Sequence, residues 1–274
     1  MDPTVGEWLN LLLRWVHVIA GIAWIGQTYL FNWMEKTFLA EQVGAEAGGS
    51  ANVAGRLWMV HGGGFYLVEK QRVPELMPRT LHWFKWESAL TWASGVLLLF
   101  LVFYNGATLI DSSESPVPFA AAAALGIFLL LSAFFAYDLL WRSPLGRTEW
   151  VGAAVSFLGV AALAFALTRV FSRRAAFFHV GALFGTVMAA NVWLRILPAQ
   201  RQMIAATKEG RVPDAALAAK AKRCSKHNTY LSVSVVAIML SNHFPTITYG
   251  QDRSWLVLSG LVLLGGVAAR VMRG

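Results

Sequence analysis

Residues 8–33 read "WLNLLLRWVHVIAGIAWIGQTYLFNW". About twenty mostly apolar residues are enough to cross a bilayer as a helix, and this run is longer than that, with Arg14 and His17 inside it. Outward from it, six further runs have the same character: roughly 82–104, 118–141, 150–171, 174–198, 228–243 and 254–272. The whole chain is 57% hydrophobic and 14% charged, whereas a soluble domain carries about a quarter charged residues. The expected fold is therefore an all-α integral membrane protein, a single membrane domain over 1–274 with about seven transmembrane helices in the lipid bilayer. Trp8, Trp33, Trp141, Trp150 and Trp255 fall at or near ends of these runs, where indole rings favour the membrane–water interface.

The net charge of +8 raises nucleic acid as a partner, but the basic residues lie in loops between spans, and orientation accounts for them. With the N-terminus outside, eighteen Lys and Arg fall on the cytoplasmic side and five (Arg14, Arg169, Arg173, Arg174 and Arg253) on the other. That asymmetry predicts N-out and C-in, by the positive-inside rule. The start of the chain is acidic, with Asp2 and Glu7, and its apolar run is too long for an ordinary signal peptide. Cys224 is the only cysteine. No disulfide framework exists, and no Cys-x-x-Cys-His site for covalent haem c lies in this chain.

Two cytoplasmic connections are long. Residues 199–227 read as a helix leaving the membrane, a Gly-Pro turn and an Ala/Lys-rich helix returning, a basic loop. Residues 34–81 contain "VHGGGFYLVEK". A His-Gly-Gly-Gly run could supply oxyanion amides, but the Gly-x-Ser-x-Gly elbow of that chemistry is absent. A phosphate loop needs Gly-Lys-Ser/Thr after the glycines, also absent. What remains is a glycine turn between β-prone runs, a small cytoplasmic hairpin.

Six histidines divide by side. His17, His179 and His243 fall towards the outer face. Intramembrane ionisable groups are costly and usually functional, and two helical histidines at one depth can hold a porphyrin iron axially. Small residues beside them (Ala20 and Gly21; Ala175, Ala176 and Ala182) would admit a flat macrocycle. The reading is haem b, with His17 and His179 as the axial pair and His243 as substitute; the competing reading is small-residue helix packing with each imidazole on a neighbour's carbonyl. His61, His82 and His227 fall on the cytoplasmic side with Lys70, Arg72, Arg79, Lys85, Lys226 and many aromatics. Such a cluster suits a planar anion: cations neutralise it, rings stack on it, and an imidazole takes its proton. The catalytic candidates are His61, His82 and His227; the substrate-binding candidates are Arg72, Arg79, Lys85, Tyr66, Trp86 and Asn228.

At these residues the sequence resembles a known family. "LRWVHVIAGIAWIG", "LWMVHGGGFYLVEK", "LHWFKWE", "YDLLWRSPLGR", "FSRRAAFFHVGALFGTVMAANV" and "SKHNTYLSVSVVAIMLSNHFP" look like the membrane domain of bacterial membrane-bound, cytochrome c-linked urate oxidases. The resemblance runs over nearly the whole chain. It implies a bacterial inner-membrane enzyme that oxidises urate to 5-hydroxyisourate without releasing hydrogen peroxide, passing electrons to a c-type haem. Members of that family typically continue into an eighth span and a periplasmic cytochrome c domain. For this chain the expected acceptor is therefore a separate c-type cytochrome or a missing domain. Two alternatives stand beside it. The span-one histidine followed by small residues and Trp24 is loosely like haem-binding membrane proteins of the protoporphyrinogen oxidase and copper-resistance type, which are typically shorter and lack the "HGGGFY" and "LHWFKWE" blocks. A transporter or channel would draw on Gln27, Asn32, Asp138 and Asn191, although Asp138 can pair with Arg142 one turn away.

Overall fold

Forty-two residues, Pro3–Gly44, form one unbroken helix, α1. Asp2 starts it: its carboxylate accepts the backbone N–H of Thr4 at 2.9 Å and of Val5 at 3.2 Å, and Pro3 sits at the first helical position, where a missing N–H costs nothing. At 1.5 Å per residue α1 is roughly 60 Å long, about twice the hydrocarbon thickness of a bilayer. The helix therefore runs well past the expected end at residue 33. The computed structural model describes residues 2–44, 52–72, 80–105, 108–111, 113 and 115–273, with backbone alone for 39–44.

Beyond α1 come strands β1 (Val53–His61) and β2 (Gly64–Gln71), paired antiparallel with Trp58 opposite Leu67, Val60 opposite Phe65 and His61 opposite Gly64. The two-residue loop between them is Gly62–Gly63, with φ of 57° and 79°. Both are left-handed, the condition for a type I′ turn whose twist matches the strands; this is what the glycine run is for. The inner face of the hairpin packs Leu57 against Met34 and Phe38 of α1, with Met59 and Val68 beside them. Lys70 bonds Glu35. The outer face leaves Trp58, Val60 and Phe65 exposed. The hairpin thus rides on the protruding end of α1.

The remaining helices are α2 (Trp86–Leu99), α3 (Phe119–Arg142), α4 (Glu149–Val170), α5 (Arg173–Asn191), α6 (Leu197–Lys208), α7 (Ala215–Leu240) and α8 (Ser254–Arg273). Two π-helical turns interrupt the pattern, Phe100–Asn105 after α2 and Val192–Ile196 between α5 and α6. A turn with Gly210 at φ 70° ends α6, and Asp214 caps α7 by accepting the N–H of Ala216 at 2.8 Å.

Among the described residues, six helical stretches are long and apolar enough to cross a membrane: Pro3–Phe38, Trp86–Asn105, Phe119–Arg142, Glu149–Val170, Arg173–Lys208 and Ser254–Arg273. Helix α7 is not among them, although residues 228–243 were expected to span. Its 26 residues are long enough, but its first half is basic and its buried residues include His227, Asn228, Thr229, Ser232 and Ser234. Those polar groups are satisfied inside the bundle: Ser234 donates to the carbonyl of Val262 on α8 at 3.1 Å, and Asn228 to that of Met188 on α5 at 3.0 Å. The polar residues of α7 thus face protein. The core centres on α5, where Ala175, Ala176, Phe177, Val180 and Leu183 are buried with Ile238 and Leu258 from α7 and α8. The alanines let neighbouring helices approach closely.

Candidate functional site

Where α3 ends, α7 begins and the second π-helical turn passes, the bundle opens into a cavity of about 450 Å³. Its lining is Tyr137, Asp138, Trp141 and Arg142 from α3, Arg195 from the π turn, and Lys220, Arg223 and Cys224 from α7. The helical period explains the grouping, since Tyr137 and Trp141, like Asp138 and Arg142, are one turn apart on a shared face. Extra residues in an α-helix re-aim the chain, and π segments often do so at functional sites; here the π turn brings Arg195 to α3. Arg195 donates from Nε to Oδ1 of Asp138 at 2.9 Å and from Nη2 to Oδ2 at 2.6 Å. Arg142 adds a contact to Asp138 at 3.3 Å. Asp138 therefore answers two guanidiniums, and the cavity keeps a cationic excess from Lys220 and Arg223.

Behind the aromatic wall stands His227. Its Nδ1 lies 2.6 Å from the Tyr137 hydroxyl, and its ring lies 4.1 Å from that of Trp141, centroid to centroid. Next to it on α7, Asn228 accepts a hydrogen bond from Asn191 at 3.0 Å. Cations, a stacking surface and a buried imidazole thus meet at one place. A planar anion could be held there, with the imidazole one side chain away behind Tyr137 and Trp141.

At the other end of the bundle, two more imidazoles are built in separately. His17 on α1 faces α2, with Nδ1 2.9 Å from the carbonyl of Thr91 and 3.2 Å from Ser94 Oγ. His179 on α5 is 1% exposed. Its Nδ1 lies 2.7 Å from the carbonyl of Ala175, and its Nε2 lies 2.9 Å from the hydroxyl of Tyr104. Each ring faces a glycine: a Cβ added at Gly95 would come within 2.8 Å of His17 Cε1, and one at Gly126 within 3.1 Å of His179 Nε2. A histidine whose Nδ1–H is fixed on a carbonyl, with Nε2 left as the open nitrogen, has the donor arrangement of a metal ligand. For an axial role His17 has this arrangement, whereas Nε2 of His179 is already held by the Tyr104 hydroxyl.

They do not fit it as partners of one iron. Helix α2 and the π-helical turn that continues it serve as a ruler: His17 is level with Ser94, His179 with Tyr104, ten residues further on, a separation of up to roughly 15 Å. The structure places the two rings on different helix interfaces and at different depths, so the expected equality of depth does not hold. His243 closes the 3₁₀ turn Ser241–His243 and is exposed. Among the described residues no group of three or more His, Cys, Asp or Glu is placed to hold a metal ion.

The profile of the urate oxidase N-terminal family matches residues 3–272. The chain belongs to that family. No match is found among curated proteins or among solved structures. Family membership assigns the chain to urate-related oxidoreductase chemistry.

Within this family member the three histidines expected to gather on one side are dispersed. His227 stands behind Tyr137 and Trp141, outside the lining of the cavity. His61 sits exposed at the hairpin turn, and His82 is exposed with its ring 4.5 Å from that of Phe84. The hairpin packs against α1, and neither His61 nor Tyr66 is among the residues that line the cavity. Lys85 lies over the rings of Trp86 and Trp193, at 5.2 and 5.9 Å. Arg72 ends β2, its N–H on the carbonyl of Asn52 at 2.8 Å; Arg79 lies outside the described residues. Asn228 is buried in the amide pair with Asn191. The sequence reading missed Tyr137, Trp141, Arg195 and Arg223. Tyr137 and Trp141 sit inside the block "YDLLWRSPLGR", and their shared helical face with Asp138 was the available signal.

Proposed function

We propose that this protein is a multi-pass enzyme of the bacterial inner membrane that oxidises urate to 5-hydroxyisourate in the cavity between α3, α7 and the Arg195 turn. The observation that carries the reading is the union, in one place, of Arg223, Lys220 and a braced Arg195 with the Trp141 face and the His227–Tyr137 pair. Urate is planar and anionic. Cations hold its charge, Trp141 stacks on its rings, and His227 takes a proton as electrons leave. The reaction balances as urate plus water giving 5-hydroxyisourate, two protons and two electrons, with water supplying the product hydroxyl. With a c-type cytochrome as the electron acceptor in place of dioxygen, no hydrogen peroxide would form.

A haem b, when bound, supplies one-electron acceptance and therefore takes two transfers per urate. His17 and His179 are the residues that would hold iron through Nε2, each at its own site; at His179 the Tyr104 hydroxyl must yield. The topology proposed is seven spans, α7 included, N-out and C-in, which places the cavity and the hairpin at the cytoplasmic side. The cavity favours this reading over the protoporphyrinogen oxidase alternative, and Asp138 is engaged by two arginines, not left to line a transport path.

The test is turnover in ¹⁸O-labelled water with peroxide assayed alongside. Label at C5 of the product with no peroxide supports the reading. Stoichiometric peroxide, or a C5 oxygen drawn from dioxygen in place of water, refutes it.

A further inference from the structure

The outer face of the hairpin is graded along its length. From base to turn its cross-strand pairs are Arg56 with Glu69, Trp58 with Leu67, and Val60 with Phe65. The first is an ion pair at 2.7 Å, closed on itself. The other four side chains are apolar, and each is at least half exposed. A contiguous bare apolar patch of this kind marks a contact with protein or with membrane.

Its place on α1 decides between the two. Gly55, near the base, lies against Phe38; a Cβ added there would come within 2.7 Å of the Phe38 ring. Leu57, further along β1, packs with Phe38 and with Met34, one helical turn back towards the span. Strand β1 therefore runs back along α1 with the glycine turn foremost. Residues 34–38 are the last of the membrane-length stretch Pro3–Phe38. They lie within about 8 Å of Trp33, where the apolar run ends, and a headgroup layer is roughly 5–8 Å thick. From Leu57 to Val60 the strand advances roughly 10 Å further. At that level Leu30, Phe31 and Trp33 of α1 are exposed as well, so the bare face continues the lipid-facing surface of the span. We infer that the hairpin dips into the bilayer. Trp58, Val60, Phe65 and Leu67 enter the acyl–headgroup boundary of the leaflet at the C-terminal end of the α1 span, and the Arg56–Glu69 pair stays outside it. A soluble partner has no need of this gradient. A lipid boundary imposes it, because indole favours the interface and ions avoid hydrocarbon. The inference rests on α1 crossing the membrane and is independent of the urate reading.

Depth can be read without substrate or cofactor. In the full chain carrying Cys224→Ser, a nitroxide is attached through Val60→Cys or through Glu69→Cys. The protein is reconstituted in vesicles of phosphatidylethanolamine and phosphatidylglycerol. Spin relaxation by oxygen, which concentrates in lipid, is compared with relaxation by a water-soluble nickel chelate present on both sides. At position 60 oxygen should be the stronger agent by severalfold, and at position 69 the chelate should be. Phe65→Cys gives the same reading should Val60→Cys fail to fold. A chelate that reaches position 60 as readily as position 69 places the face in water and overturns the inference. Shielding of position 60 from both agents also overturns it, because a second copy or another protein then covers the face.

Discussion

Arg195 grips Asp138 with both arms of its guanidinium, at 2.9 and 2.6 Å, across 57 residues of sequence. A fork-to-carboxylate pair of this kind fixes direction as well as charge, so Asp138 decides where Arg195 points. The pair joins α3 to the π-helical turn and forms one wall of the cavity.

It follows that Asp138→Asn should weaken urate binding although Asp138 is itself an anion. A charge-assisted hydrogen bond contributes roughly 1.5–3 kcal/mol, so the Michaelis constant for urate should rise by about tenfold or more with turnover much less affected. Arg195→Lys should not restore it, because an ammonium cannot reproduce the two-point contact. Steady-state kinetics of both variants check this; an Asp138→Asn enzyme that binds urate more tightly would show that Asp138 only repels the substrate.

The base can be removed without touching the cofactor. His227→Gln should lower turnover by about 10²–10⁴-fold, the usual range for a positioned acid–base group, while the optical spectrum and the thermal stability of the purified protein stay near wild type. Unchanged turnover would take His227 out of the mechanism.

His61→Ala and His82→Ala should behave oppositely to the sequence-based expectation. Both imidazoles are exposed, one at the hairpin turn and one beside Phe84, and exposed substitutions away from packed features usually act within about 0.5 kcal/mol. Turnover should remain within about twofold of wild type. A large loss in His61→Ala would mean that the hairpin reaches the cavity during the catalytic cycle.

His17 and His179 are distinguishable by additivity. If they served one iron, either single alanine variant would already remove the low-spin haem bands, and the double variant would add nothing. Distant, independent sites add instead. The expectation is that His17→Ala and His179→Ala each remove part of the reduced haem signal and the double variant removes the sum, as read by the pyridine haemochrome assay.

How much of this was legible in sequence follows physical lines. The lipid-facing helices were, since apolar length alone decides them: α3, α4 and α8 begin and end within a residue or two of the expected runs. The hairpin turn was legible too, because adjacent glycines are what a type I′ turn needs. The span in α7 was read short because Lys220, Lys222, Arg223 and Lys226 put its first half in the basic loop, whereas that half and the span form one continuous helix. The cavity was missed for a related reason. Tyr137 and Trp141 resemble interfacial aromatics, and Arg195 counts towards the positive-inside total, until the π turn sets it against Asp138. For His17 and His179, similar depth counted from the outer ends of their spans suggested partnership, but α1 starts five residues before its apolar run and α5 only one.

The central claim is that urate gives up electrons in this cavity and that they leave through haem. Its most direct measurement mixes the purified protein anaerobically with urate and an added c-type cytochrome and follows both haem spectra. The account predicts that urate reduces the bound haem and then the cytochrome, and that His227→Gln abolishes both changes while dithionite still reduces the haem. It is contradicted if urate leaves an intact, dithionite-reducible haem oxidised while protoporphyrinogen reduces it.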